Sequence, residues 1–357
     1  MKTLKALLRA LLFWMLTFEA LACWRGWLGL SLLGRRAPLP LVAPLPAMVL
    51  AGMPAGRVRR IASLALAAPA ALGLQIVASS LRNRALNPLL RLRPGAYGDR
   101  SIERLDLPMS VGHLPALHVV PRGGTGAAIC VVHGSGCDKT SYVWRLVDTL
   151  VAQGLAVLLI DLDGHGENPR PQSFPQIVED VVVAAEWLRA RYRRVGLLGI
   201  SLGGCLAARA AADGLAVDAL AVLEAPPLLH YTQADVYREA LGLARPYLLD
   251  LFSDSTVYHI YRAWAYPPIR ATISTWDLIE ALDLLGSLPK IGAPLLLMYG
   301  GSDAIVKPAQ AAQVRAVMPA GATFQLIRWA SHLTLILTPK ALGMIGEWFG
   351  ERMKDEG

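Results

Sequence analysis

From about Ser101 onward, short uninterrupted apolar runs alternate with amphipathic stretches of helical period. No other feature constrains the fold as tightly. Ala127–Val132, Ala156–Ile160, Val195–Leu198, Ala219–Leu223, Leu295–Tyr299 and Phe324–Ile327 read as strands. Being apolar at almost every position, they belong in a sheet covered on both faces, as parallel strands joined by helices are. Ile102–Leu107 and Ala116–Val120 predict a hairpin ahead of them. In Gln176–Arg191, Ile177, Val181, Ala184 and Leu188 share one stripe, with Glu179, Glu186 and Arg189 elsewhere, which predicts a helix. The fold class is therefore α/β with a mainly parallel sheet.

One stretch breaks the alternation. Residues 227–290 carry helical signals, no convincing strand, and six of the ten tyrosines of the chain. A helical, aromatic insertion between two sheet strands predicts a lid over a site at the carboxyl edge of the sheet. The aromatics are Tyr231, Tyr237, Tyr247, Phe252, Tyr258, Tyr261, Trp264, Tyr266 and Trp276.

The sharpest local signal is Gly199-Ile200-Ser201-Leu202-Gly203-Gly204, between the run Val195–Leu198 and a helical stretch over Cys205–Ala212. A serine flanked by Gly199 and Gly203 at a strand-to-helix junction sits on a tight turn that leaves its Oγ free at the sheet edge. The fingerprints of dinucleotide and P-loop binding, with their glycine spacing or lysine, are absent. A serine hydroxyl is a weak nucleophile and needs a base held by an acid. His332 follows the last predicted strand and Asp303 follows the one before it. Ends of strands are where α/β sheets build sites. The chain order Ser201, Asp303, His332 suits a nucleophile elbow. Glu224, just after Ala219–Leu223, is the rival acid; Asp303 suits better, with its glycine-rich approach and 29 residues to His332. The chemistry also needs two N–H donors for an oxyanion. Leu202 offers one, and the loop His133-Gly134-Ser135-Gly136 the other, through Ser135. His133 reads as a structural hydrogen-bonding residue, and no metal or cofactor is called for.

Taken together these residues resemble the α/β-hydrolase family over about residues 101–357, nearest its lysophospholipase, monoglyceride-lipase and serine-aminopeptidase-like group. Asp161-Leu162-Asp163-Gly164-His165-Gly166-Glu167-Asn168 is similar to a segment of that group, with Asn168 where serine is usual. The resemblance implies a serine hydrolase with an acyl-serine intermediate and the catalytic set Ser201, Asp303 and His332. It leaves the acceptor open, so an acyltransferase, thioesterase or aminopeptidase remains an alternative, as does a non-catalytic binding protein on a hydrolase scaffold.

Charge divides the chain. The net charge is +8, yet residues 1–94 hold 13 Lys and Arg against one acid, Glu19, a net +12, so the remainder is −4. The excess is interleaved with apolar stretches, Ala10–Leu33 and Ile61–Leu81, rather than with a polar nucleic-acid surface. Ile61–Leu81 lacks any charge and is bracketed by arginines, as a membrane span is. Pro38–Gly56, with five prolines, reads as a re-entrant or linking segment, and a cleaved signal sequence competes for the first residues. The expected organisation is a membrane anchor over 1–94 and a catalytic domain over 95–357 with its lid at about 227–290. Membrane lipids and a lipophilic acyl substrate are the expected partners, with no nucleic acid. The arginines at 82–93 favour a cytoplasmic face of a bacterial-type inner membrane for the catalytic part. Cys130, Cys137 and Cys205 form no metal-ligand spacing.

Overall fold

The computed structural model describes residues 2–25, 32, 39–53, 56–86, 92, 94–141, 143–244 and 269–354. They fall into two compact units, the N-terminal helices up to Leu86 and the part from Leu92 onward.

In the first unit, helix α1 (Lys2–Arg25) packs against α4 (Arg57–Leu86), with the short helices α2 (Leu39–Val42) and α3 (Leu45–Ala51) between them in the chain. The proline-rich stretch is thus partly helical. Pro40, Pro44 and Pro46 sit at or near the starts of these turns, where the missing N–H costs little. Helix α4 runs on through Pro69. By length and composition, Thr3–Trp24 is apolar enough to cross a membrane. Glu19 does not break that helix, because its carboxylate is buried and accepts from Gln75 Nε2 of α4 at 2.8 Å and Leu32 N at 2.7 Å. Trp14 Nε1 donates to Leu64 O at 2.8 Å, and Ala10, Met53 and Ala67 form a small core. Leucines and methionine on the other faces, among them Leu4, Leu8, Met48 and Leu66, are exposed.

The second unit is built on a nine-stranded sheet. Its strands are β1 (Gly95–Ala96), β2 (Arg100–Pro108), β3 (His113–Pro121), β4 (Ala127–Val132), β5 (Ala156–Ile160), β6 (Arg194–Ile200), β7 (Ala219–Leu223), β8 (Leu295–Gly300) and β9 (Thr323–Ile327), in spatial order β1-β2-β3-β5-β4-β6-β7-β8-β9. The hairpin β2–β3 is antiparallel, with Ile102 opposite Val119, and β3 pairs antiparallel with β5. Every pair from β5 through β4 to β9 is parallel. Strands β4, β5, β7 and β8 are buried at each residue, which is why they lack the alternation of a half-exposed strand. Helices α5 (Trp144–Ala152), α6 (Val178–Arg189) and α7 (Leu202–Ala212) cover the sheet, joined later by α11 (Pro308–Val317) and α12 (Pro339–Arg352). The stripe of α6 is buried as its period requires, with Val181, Ala184 and Leu188 inside.

Strand order reverses at β4. The chain steps from β4 outward to β5 on one side, then returns to lay β6 on the other. Such a reversal leaves a crevice beyond the carboxyl ends of the two strands that flank it. The loop after β4 and the turn after β6 therefore meet there, with Val132 paired to Gly199.

Between β7 and β8 the described part of the insertion is helical: α8 (Gln233–Ala244), α9 (Thr275–Leu282) and α10 (Leu284–Ser287). Tyr231 packs against Trp276, ring centroids 5.3 Å apart. The aromatics from Tyr247 to Tyr266 lie outside the described residues.

Candidate active site

Ser201 lies between the end of β6 and the first residue of α7, with φ 53° and ψ −116°. That positive φ is strained for a residue with a side chain. The turn closes because its neighbours lack side chains. A β-carbon on Gly199 would stand 2.3 Å from Gly203 O, and one on Gly203 would stand 2.2 Å from Val132 O. Ser201 N donates to Leu223 O of β7 at 2.8 Å, which fixes the turn to the next strand.

His332 lies in the loop between β9 and α12, and Asp303 in the loop after β8. His332 Nδ1 is 2.9 Å from Asp303 Oδ2, and its Nε2 is 3.0 Å from Ser201 Oγ. A carboxylate can only accept, so Nδ1 carries the proton and Nε2 is left to accept from the serine hydroxyl. The other Asp303 oxygen accepts from Ile305 N and Val306 N, both at 2.7 Å. These bonds lock the carboxylate in the orientation that meets the imidazole. The structure thus brings Ser201, His332 and Asp303 from three separate loops into one chain of hydrogen bonds.

The loop His133–Gly136 comes alongside the serine. A β-carbon on Gly134 would lie 3.3 Å from Ser201 Cβ. Gly136, at φ 69°, closes a turn in which Cys137 N donates to Gly134 O at 3.1 Å. His133 bonds to its own loop and to the next. Its Nε2 accepts from Leu162 N at 3.1 Å and its Nδ1 lies 2.8 Å from Gly134 O, so it ties the loop after β4 to the loop after β5. Ser135 Oγ is 3.3 Å from Thr275 Oγ1, at the start of α9. The N–H of Leu202, first in α7, points out of the helix start with no intrahelical acceptor.

The segment Asp161–Asn168 underpins this loop. Buried Asp161 accepts from Lys139 N at 2.7 Å and Lys139 Nζ at 2.5 Å. Asn168 donates from one nitrogen to Asp161 O and Asp163 Oδ1, each at 3.0 Å. An amide can make both bonds at once, so asparagine suits this position.

Glu224, the rival acid, sits behind the pair and does not touch the imidazole. It is fully buried with φ 52°, and neither carboxyl oxygen has a hydrogen-bond partner among the described residues. Glu224, Asp303 and His332 present atoms within 4.8 Å of one another. Gly300 makes room, since a β-carbon there would come within 3.1 Å of Glu224 Oε1. Burial, then the charges of Asp303 and Glu239, push the Glu224 carboxyl well above the usual carboxylate range. A carboxyl that resists ionisation only in the folded state favours folding at low pH. That advantage fades once pH exceeds the unfolded value near 4.5. Glu224→Gln, neutral at every pH, is therefore expected to gain stability over the wild type as pH rises above 4.5. The gain is about 1.4 kcal/mol per pH unit until the folded carboxyl ionises. Thermal melts of both proteins from pH 5 to 8 measure the gap; a gap independent of pH rules the argument out.

Glu239, on α8, belongs to no motif of the sequence. Its carboxylate, 2% exposed, accepts from Ala304 N at 2.6 Å and Leu333 N at 3.4 Å, the residues that follow Asp303 and His332. Nothing local marks it, because an ordinary helical glutamate has the same surroundings in sequence.

Comparison with known proteins bears on the family and the fold. A family model described as the alpha/beta hydrolase family matches residues 131–342. An uncharacterized protein of Mycobacterium tuberculosis is 30% identical over 188 residues, 52% of this chain and 55% of that one, so the chain spans about half the length of that relative. A pimeloyl-[acyl-carrier protein] methyl ester esterase of Stenotrophomonas maltophilia is 28% identical over 242 residues, 58% of this chain and 87% of its own. Among solved structures, a bromoperoxidase from Bacillus anthracis matches with a TM-score of 0.55 at 20% identity, covering 70% of this chain and 100% of that one. A meta-cleavage product hydrolase from Pseudomonas fluorescens matches with a TM-score of 0.55 at 19% identity, covering 69% and 97%. At such identities these two likenesses concern the fold.

Proposed function

The chain belongs to the alpha/beta hydrolase family, and within it we propose a membrane-anchored serine hydrolase that cleaves carboxylic esters of lipophilic acyl groups. The observation that carries the reading is the continuous bond chain from Ser201 Oγ through His332 to Asp303. His332 Nε2 takes the hydroxyl proton as Ser201 Oγ attacks the acyl carbonyl. The N–H groups of Leu202 and Ser135 receive the developing oxyanion, where fixed donors are worth most. As the tetrahedral intermediate collapses, the alkoxide leaves with the proton from His332, and the acyl group stays on Ser201. A water then gives its proton to His332 and attacks the acyl-serine, releasing the acid and restoring the hydroxyl. Asp303 keeps the imidazole in one tautomer and offsets its positive charge during both steps.

Two features favour a lipophilic substrate: the aromatic lid sequence and the basic, apolar N-terminal unit. The methyl ester esterase relative is in keeping with ester chemistry. Treating membranes that contain the full chain with a fluorophosphonate probe tests the reading, followed by esters, thioesters and amides over several chain lengths. The protein is expected to label, and to prefer long-chain esters presented in micelles. A folded protein that stays unlabelled would sink the hydrolase reading, and a preference for short soluble esters would sink the lipophilic one.

The anchor has its own test. The exposed leucines of α1 and α4, together with the surrounding arginines, suit lipid tails and headgroups. The full chain is expected to stay with the membrane pellet through an alkaline carbonate wash and to enter solution only with detergent. Release by carbonate alone would count against an integral anchor.

A further inference from the structure

Helix α8 is docked on the acid loop by side chains from one face. Asp235 and Glu239 are four residues apart and so lie side by side on the helix. Asp235 Oδ2 is 3.4 Å from Lys307 Nζ, at the far end of the loop that holds Asp303. Gln310 Nε2, one turn into α11, donates to Leu228 O at 2.6 Å, just before the helix. Glu239 reaches deepest. One of its oxygens takes the N–H of Ala304 at 2.6 Å and the other the N–H of Leu333 at 3.4 Å. Each of those amides belongs to the residue directly after a member of the Asp303–His332 pair. A single buried carboxylate therefore spans the two loops whose spacing sets the 2.9 Å bond between Asp303 and His332.

Resting on the reading of Ser201, Asp303 and His332 given above, we propose that Glu239 is a positioning residue through which helix α8 of the lid holds the Asp303 and His332 loops in register, so that the triad is assembled only while that helix is docked. The physical reason is the cost of the alternative. If α8 lifts away, Ala304 N loses its short bond at 2.6 Å in a largely dry place, and the longer contact of Leu333 N at 3.4 Å goes with it, so a buried donor is left without its acceptor. The loops then relax toward water. A shift on the order of 1 Å in a catalytic group is enough to cost about a hundredfold in rate. A lid coupled in this way would keep Ser201 idle until a substrate stabilises the docked arrangement.

Two readouts on the full-length protein test this, one of which needs no activity. Hydrogen exchange followed by mass spectrometry reports the amides of Ala304 and Leu333 directly. In Glu239→Ala, peptides containing these residues are expected to exchange at least about tenfold faster than in the wild type, with peptides from β4 and β6 unchanged. With a small soluble ester, the same variant is expected to lose about 10- to 100-fold in kcat, with KM within about twofold. Glu239→Gln, whose amide oxygen can still accept from Ala304 N, is expected to recover most of the loss. Unchanged exchange in the two loop peptides overturns the proposal. So does a kcat within twofold of wild type in Glu239→Ala, a loss confined to KM, or an equal loss in both variants. Faster exchange in a protein whose wild type never labels with fluorophosphonate would leave the clamp standing and remove the hydrolase reading instead.

Discussion

Replacing Ser201 by alanine is expected to lower ester turnover by about 10⁶-fold, the scale seen when a triad serine is removed from other hydrolases. The substitution takes away one oxygen and leaves the β-carbon, so the strained turn at φ 53° loses no packing and gains none. The bond from Ser201 N to Leu223 O also remains. Melting temperature should therefore stay close to that of the wild type while labelling by fluorophosphonate disappears. What persists is the modest help that an oxyanion hole and substrate binding give to attack by water, about 10³–10⁴ over the uncatalysed rate. Turnover assays with and without the substitution, at equal amounts of folded protein, decide the matter. A loss smaller than about tenfold would mean that Ser201 is not the nucleophile.

Asp303→Asn should cost about 10⁴-fold in kcat, and for a different reason. The amide has nearly the shape of the carboxylate, and its oxygen can keep the 2.7 Å bonds from Ile305 N and Val306 N. Its nitrogen then faces His332 Nδ1 and donates to it. That reverses the tautomer, because Nδ1 must accept and the proton moves to Nε2. An Nε2 that carries a proton cannot take one from Ser201, whose Oγ lies 3.0 Å away. Fold and substrate affinity should change little, so the loss belongs in kcat rather than KM. Glu224 makes the experiment informative in both directions. It lies within 4.8 Å of the same imidazole, burial holds its carboxyl well above the usual carboxylate range, and no hydrogen-bond partner among the described residues holds it elsewhere. A loss of less than about tenfold in Asp303→Asn would show Glu224 taking over as the acid. The double variant Asp303→Asn, Glu224→Gln would then lose the remainder.

Much of the sheet was legible along the chain for a simple reason. A strand covered on both faces has no solvent side, so each of its residues is apolar and the run stands out. Ala127–Val132, Ala156–Ile160 and Ala219–Leu223 are strands with those very ends. The half-exposed β9 begins at Thr323, one residue before the apolar run, because an edge strand tolerates a polar residue. The N-terminal unit was harder to read. Glu19 interrupts an apolar stretch in sequence, and bonds from Leu32 N and from Gln75, 56 residues away, accommodate its carboxylate.

For the site, order along the chain was enough to single out Ser201, Asp303 and His332, since each follows a recognisable strand and the glycines around Ser201 announce a turn. Residue order carries no distances, however. Whether Asp303 or Glu224 meets the imidazole depends on how β7 and β8 twist past one another and on where two loops end. Glu239 lies further still from anything a linear reading can detect. Its importance comes from two amides, 29 residues apart, that the fold sets within reach of one side chain. Apolar period and turn chemistry are local, and so the sequence displays them. Which of two acids orients a histidine, and which helix steadies both, are matters of ångströms between segments distant in the chain, and packing alone fixes those.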